Sequence, residues 1–275
     1  MGNIGLILII ANAVVTWLGL KDHQFFNKYC FEVDRILIFK EYRRLITSGF
    51  LHVSWTHFFF NAFSLYIFSS GLEAALGPAQ FIVIYFASLI GGNLLSLFIH
   101  RNHGDYSAVG ASGAISGVIF ASIALFPGMG VGFFGLPVFM PSWLYGLLFV
   151  LYSIYGIRSK TDNIGHDAHL GGGIVGLLIA IIMVPNIIVT NYLPITLILV
   201  PSVIFLYFIT RPEVLFVDNL FQKSHGYRTI EDRYNYEKRG RETELNEILE
   251  KIHRKGINSL TKKEKERLDE LSNKG

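Results

Sequence analysis

Cysteine is all but missing from this chain of 275 residues, with Cys30 the one example. That excludes an internal disulfide framework and any metal site built on several cysteines. Charge is scarce as well. Asp, Glu, Lys and Arg make up 16% of the chain, against about 25% in a typical soluble domain. Of these 45 residues, 17 fall within residues 1–210 and 28 in the last 65. So long a charge-poor stretch excludes one ordinary water-soluble globule. The net charge of +3 gives no argument for nucleic-acid binding. Apolar side chains are abundant, at 51%, and that excludes a disordered polymer.

Crossing a bilayer takes about 20 mostly apolar residues. Seven runs approach that length, near 3–20, 57–76, 78–99, 109–127, 141–158, 166–185 and 192–210. In hydrocarbon the backbone must satisfy its own hydrogen bonds, so spans are helices or closed barrels. These runs are continuous rather than alternating, which selects helices. The expected fold is an all-α membrane protein with a six-helix core. A seventh span is expected over Tyr192–Thr210 despite Pro194 and Pro201. The first run has no Lys or Arg before it and no A-x-A-like site after it, so it reads as a span, not a cleaved signal.

Two stretches lie outside this pattern. Residues 21–56 form a long first loop rich in Phe25, Phe26, Tyr29, Phe31, Ile36, Leu37, Ile38 and Phe39. It is expected to fold on the membrane surface. Residues 211–241 read as a polar linker after a membrane domain of residues 1–210. Residues 242–275 then read as a small soluble helical hairpin. Leu245, Ile248, Leu249 and Ile252 give the first helix its apolar stripe. Thr261 and Glu264 form a capping box for the second.

Polar groups inside apolar runs are costly and point to function. Ser112 sits in Gly110-Ala111-Ser112-Gly113, and Gly113 and Gly117 form a small-xxx-small face. Gly172 and Gly176 form another, three residues after His169. Such faces let backbones approach closely, which would bring Ser112 near His169. A serine hydroxyl becomes a nucleophile when a neighbouring base takes its proton. Asp167 is two residues from His169, about 200° around a helix, and cannot orient that ring. The reading is therefore a Ser–His dyad, not a triad. His57 and Asn61 share a face one turn apart and could donate to an oxyanion. A metal site is not expected, because no carboxylate stands at ligand spacing to His52, His57, His166 or His169. Glu73 is expected to cap or hydrogen-bond a loop at the opposite membrane face.

Several motifs occur in a telling order: Glu41-Tyr42-Arg43-Arg44 before Leu51-His52, His57-x-x-x-Asn61, Gly71-Leu72-Glu73, Gly110-x-Ser112-Gly113, and Ala168-His169-x-x-Gly172-x-x-x-Gly176. Over about residues 40–185 the chain resembles the rhomboid intramembrane serine proteases. The resemblance implies Ser112 as nucleophile, His169 as general base and acid, and His57 and Asn61 at the oxyanion. It implies no cofactor, and single-pass transmembrane proteins as substrates in a bacterial inner membrane. Arg44 matches the arginine of a first-loop Trp-Arg pair, while Arg43 stands where tryptophan is usual. The tail is similar to a short helical module on some bacterial rhomboid-like chains. The alternative is an inactive rhomboid-like protein that binds membrane helices. A transporter would call for inverted repeats, and no self-similarity of that kind stands out.

Orientation brings two arguments into conflict. The loops on the face where the fourth and sixth runs begin carry Lys21, Lys28, Arg35, Lys40, Arg43, Arg44, Arg101, Arg158 and Lys160. Loops on the other face, near 71–78, 128–140 and 186–191, carry no Lys or Arg. The positive-inside rule puts the basic face in the cytoplasm. The resemblance implies a site opening away from it, and that orientation is the one expected here.

Overall fold

The computed structural model describes residues 2–132, 139–159 and 164–210, and residues 248, 251, 252, 260, 261, 265 and 268 of the tail. Among these, seven helices of 14 residues or more coincide with the seven apolar runs. They are α1 (Asn3–Lys21), α5 (Trp55–Leu76), α6 (Pro78–His100), α7 (Ser112–Leu125), α8 (Ser142–Ser159), α9 (His166–Met183) and α11 (Tyr192–Thr210). By length and composition four are long and apolar enough to cross a membrane: Asn3–Lys21, Pro78–His100, His166–Met183 and Tyr192–Ile209. Local chemistry sets the helix ends. The Ser54 hydroxyl accepts the His57 N–H at 3.1 Å and caps α5. Gly77, at φ 88°, makes the turn into α6, and Pro78 opens that helix. Pro194 lies in the first turn of α11, where its missing N–H has no helical partner to lose.

α7 is the axis of the core. All residues from Gly113 to Ala124 are buried, among Leu65 and Leu72 of α5, Phe81, Ile84 and Leu89 of α6, and Leu170 and Leu177 of α9. The two predicted small-residue faces meet. A Cβ on Gly172 would collide with the Gly113 carbonyl, and one on Gly176 with the Gly117 backbone. α6 joins from the third side, where a Cβ on Gly92 would meet the Ala168 carbonyl. With 14 residues α7 rises only about 21 Å, against about 30 Å of hydrocarbon.

The first loop is folded. It contains α2 (His23–Tyr29), β1 (Phe31–Glu32), α3 (Val33–Leu37), α4 (Arg44–Thr47) and a 3-10 turn at Ser48–Phe50. β1 pairs antiparallel with β2 (Ser107–Ala108), just ahead of α7. Phe31, Val33 and Ile36 are fully buried against Leu97 and Tyr106. Arg44 fastens the loop. Its guanidinium donates to Glu41 at 2.6 Å and to the carbonyls of Asn27 at 2.8 Å and Cys30 at 2.6 Å. That bond to Arg44 holds the Glu41 carboxyl below its usual range. Arg43, in the position of the missing tryptophan, points outward with its side chain 51% exposed.

Further on, β3 (Gly130–Gly132) and β4 (Phe139–Pro141) form a short antiparallel pair, and α10 (Ile187–Thr190) precedes α11. Glu73, expected to cap or hydrogen-bond a loop, instead meets the start of a helix, α1. It accepts the N–H groups of Ile4 at 3.2 Å and Gly5 at 3.3 Å, where the helix dipole favours an anion. The described residues of the tail belong to a second compact unit. In it Ile248, Lys251 and Ile252 are helical, and Lys265 donates its N–H to the Thr261 carbonyl at 3.0 Å. The linker expected at 211–241 and Glu264 of the expected capping box lie outside the described residues.

Candidate active site

Ser112 is the first residue of α7, and the approach to it is tightly specified. The Gly110 N–H donates to the Ser48 carbonyl at 3.0 Å, tying this segment to the first loop. Gly110 has φ 133°, which side-chain-bearing residues rarely adopt. A Cβ there would lie 2.9 Å from His57 Cε1, 3.0 Å from His57 Nε2 and 3.6 Å from Ser112 Oγ. The His57 ring and the Ser112 hydroxyl thus share the space over Gly110. The first N–H groups of α7 have no helical acceptor and carry the positive end of its dipole. Ser116, one turn on, donates its hydroxyl to the Ser112 carbonyl at 2.7 Å.

His169 lies in the first turn of α9. Its ring sits 5.9 Å from Phe149 and 6.0 Å from His166, centroid to centroid. The residue after Ser112 meets the residue before His169, since a Cβ on Gly113 would be 3.3 Å from the Ala168 carbonyl. Asp167 turns elsewhere, as its helical phase requires. Its carboxylate accepts the Ser96 hydroxyl at 2.5 Å and lies 3.1 Å from His100 Nε2, both on α6. His166 packs edge-on against Tyr152.

His57 and Asn61 line the α5 side. The Asn61 amide donates to the His57 carbonyl at 3.0 Å. An amide carries two N–H donors, so this bond occupies one. Asn61 also lines a small cavity with Asn12, His52, Phe58 and Ala111. His52, read from the sequence as a motif member and weighed as a metal ligand, is completely buried, and its ring meets His57 edge-on at 4.9 Å. Its Nδ1 is 2.8 Å from the Thr16 hydroxyl, which in turn lies 3.3 Å from the Phe50 carbonyl. A hydroxyl donating to that carbonyl accepts from Nδ1–H, which leaves Nε2 with its lone pair. Burial, and then the neighbouring His57, lowers the His52 pKa to about 3, so the ring is neutral. Ser96, His100 and Thr16 had no signal in the sequence, because each acts through a partner far along the chain.

The comparisons with known proteins bear on the family of the chain. A model described as the Rhomboid domain matches residues 40–186, and one of a family of unknown function matches residues 228–274. Rhomboid protease AarA of Providencia stuartii is 31% identical over 208 residues, covering 67% of this chain and 73% of that protein. Rhomboid protein 1, mitochondrial, of Saccharomyces cerevisiae is 31% identical over 169 residues, 59% of this chain and 47% of the yeast protein. RHOMBOID-like protein 12, mitochondrial, of Arabidopsis thaliana is 28% identical over 193 residues, 64% of this chain and 56% of that one. The chain thus spans about half the length of these two mitochondrial relatives. With the domain model matching more than half of the sequence, the chain belongs to the rhomboid family of helical, multi-pass membrane proteins.

Proposed function

We propose that the chain is an intramembrane serine endopeptidase that cleaves transmembrane segments through Ser112 and His169. The observation that carries this reading is the glycine contact of α7 with α9, which sets Gly113 against Ala168. The nucleophile and the base each stand next to one member of that contact. A substrate helix must locally unwind, because an intact helix keeps its carbonyls engaged. Ser112 Oγ attacks the freed carbonyl carbon while His169 takes the hydroxyl proton. The oxyanion is held by His57, the second N–H of Asn61 and the backbone N–H of Ser112. His169 then protonates the leaving amine, which departs as the C–N bond breaks. Water, deprotonated by His169, attacks the acyl ester and releases Ser112. No cofactor takes part. Asp167 is committed to α6 and has no role in proton transfer.

The substrates are single-pass membrane proteins, the membrane is a bacterial inner membrane, and the site opens away from the cytoplasm. Reporter fusions after Lys160 and after Lys274, both outside the described residues, should report one and the same side. Opposite sides would mean that Tyr192–Thr210 does not cross. The decisive experiment for the chemistry is fluorophosphonate labelling in vesicles. Wild type and Ser116→Ala should label, and Ser112→Ala should not. A wild-type chain that binds transmembrane peptides without ever labelling would be a helix-binding protein instead. Labelling that survives Ser112→Ala would sink the assignment.

A further inference from the structure

Asn93 is a buried amide that the proposed chemistry leaves unused. It stands in α6, a helix long and apolar enough to cross a membrane. A polar group buried in such a helix is costly unless its hydrogen bonds are made. Asn93 makes them with the first loop. Its amide donates to the Leu45 carbonyl at 2.8 Å and to the Ser48 hydroxyl at 3.2 Å. That hydroxyl in turn donates to the Arg44 carbonyl at 2.7 Å. The turn is also pressed onto α6 one helical turn earlier, where a Cβ on Gly49 would collide with the Leu89 side chain.

The chain of bonds continues toward the proposed nucleophile. The Ser48 carbonyl accepts the Gly110 N–H at 3.0 Å, and Gly110 stands two residues before Ser112, in a backbone conformation that only glycine adopts freely. The residue beside Asn93 touches the other half of the site. A Cβ on Gly92 would meet the Ala168 carbonyl, next to His169, and the Gly172 nitrogen. Two consecutive residues of α6 therefore abut the base helix and hold the approach to the serine.

We propose that Asn93 is a positioning residue for Ser112, acting through Ser48 and Gly110; this rests on Ser112 being the nucleophile. Gly92 sets the distance from α6 to α9 by backbone contact. Asn93 sets the distance from α6 to the Ser48 turn by hydrogen bonds. Without its amide the Leu45 carbonyl and the Ser48 hydroxyl lose their donor, and the turn drifts from α6. Gly110 follows the Ser48 carbonyl, and Ser112 moves relative to a base that stays in place.

The test compares the full-length chain with Asn93→Leu, which fills similar space and donates nothing. Amide exchange read by mass spectrometry needs no proteolytic activity. The segment containing Gly110 should exchange about fivefold faster, the worth of about one hydrogen bond. Segments within α7 and α9 should keep their protection. On a transmembrane reporter, kcat per competent site, counted by fluorophosphonate labelling, should fall about 10- to 100-fold with KM unchanged. A residue with only a structural role would lower the number of competent sites and leave kcat per site as it was. Ser48→Ala should act in the same direction, and the double variant should be no worse than Asn93→Leu alone. Unchanged exchange at Gly110, or unchanged kcat per site, would overturn the proposal. Should the wild type never label, the catalytic reading falls, and the exchange result still decides whether Asn93 holds Gly110.

Discussion

The two sides of Ser112 are built on opposite principles. Toward α9, backbone meets backbone through Gly113, Gly117, Gly172 and Gly176. Toward α5, side chains do the packing, with Leu65, Phe68 and Leu72 in the core. Phe58 is buried while Phe59, Phe60 and Tyr66 on the same helix are 63%, 70% and 55% exposed, and Phe68 stacks on Tyr145 of α8 at 6.4 Å. Apolar burial drives little association between helices in lipid, so close packing and hydrogen bonds must hold them. A contact without side chains has no rotamers to adjust, so it fixes the spacing of α7 and α9. A contact made of long side chains can repack. The proposed base is thus carried on the rigid side and the two proposed side-chain oxyanion donors, His57 and Asn61, on the compliant side.

The largest test of that contrast is Gly172→Ala. The new methyl meets the Gly113 carbonyl, and neither backbone can give way. Overpacking of this kind is expected to cost about 3 kcal/mol and to abolish fluorophosphonate labelling. Thermal unfolding in detergent, run beside the labelling, measures both. A variant with wild-type melting and labelling would break the comparison. Next comes Asn61→Ala on the compliant side. Losing one oxyanion donor typically costs about 3 kcal/mol in the transition state, two to three decades in kcat. Here KM and the melting temperature should stay near wild type. An unchanged kcat on a transmembrane reporter would return Asn61 to a packing role.

Much of this was legible in the sequence because it is periodic or local. Seven apolar runs match seven helices, since the length of a span is set by hydrocarbon thickness rather than by tertiary detail. The small-xxx-small spacing at Gly113/Gly117 and Gly172/Gly176 identified the helix pair that touches. The helical phase of Asp167 showed that it faces away from His169. What stayed hidden rests on partners far apart in sequence. Asp167 meets Ser96 across 71 positions, Glu73 meets Ile4 across 69, and His52 meets Thr16 across 36. The first loop could be read as folded from its aromatics. The pairing of β1 with β2, and the carbonyls that receive Arg44, carry no pattern in the sequence.

Asp167→Asn separates position from chemistry on the rigid side. The amide keeps the shape and can still accept from Ser96, but the charge facing His100 is gone. Hydrogen bonds to charged groups contribute about 2 kcal/mol, so the melting temperature should fall while turnover stays within about tenfold of wild type. A loss as deep as that of His169→Ala would show that Asp167 orients the base after all.

His52 gives a pH signature on the compliant side. Its pKa of about 3 in the fold lies below the ordinary value of about 6.5, so the fold resists protonation. Above about pH 6.5 neither state binds the proton and the residue costs nothing. As the pH falls below that, the unfolded chain takes a proton that the fold refuses, and stability drops until about pH 3. Between pH 7 and 5 this amounts to about 2 kcal/mol. His52→Gln keeps an N–H for Thr16 and cannot titrate, so its melting temperature should fall less over the same range. Parallel curves for the two proteins would mean that His52 is protonated within the fold.

The smallest expected effect is a control for the first prediction. Gly71 lies on α5, is exposed, and a Cβ there would meet nothing within 4 Å. Its backbone is ordinary helix, so no positive φ demands glycine. Replacing a mid-helix glycine by alanine removes conformational freedom from the unfolded chain and typically gains about 0.5–1 kcal/mol. Gly71→Ala should therefore melt at or slightly above wild type and label normally. The same methyl added at Gly172 is expected to unfold the site. If Gly71→Ala were as damaging as Gly172→Ala, then α5 would also depend on close backbone approach, and the division between a rigid and a compliant side of Ser112 would fall.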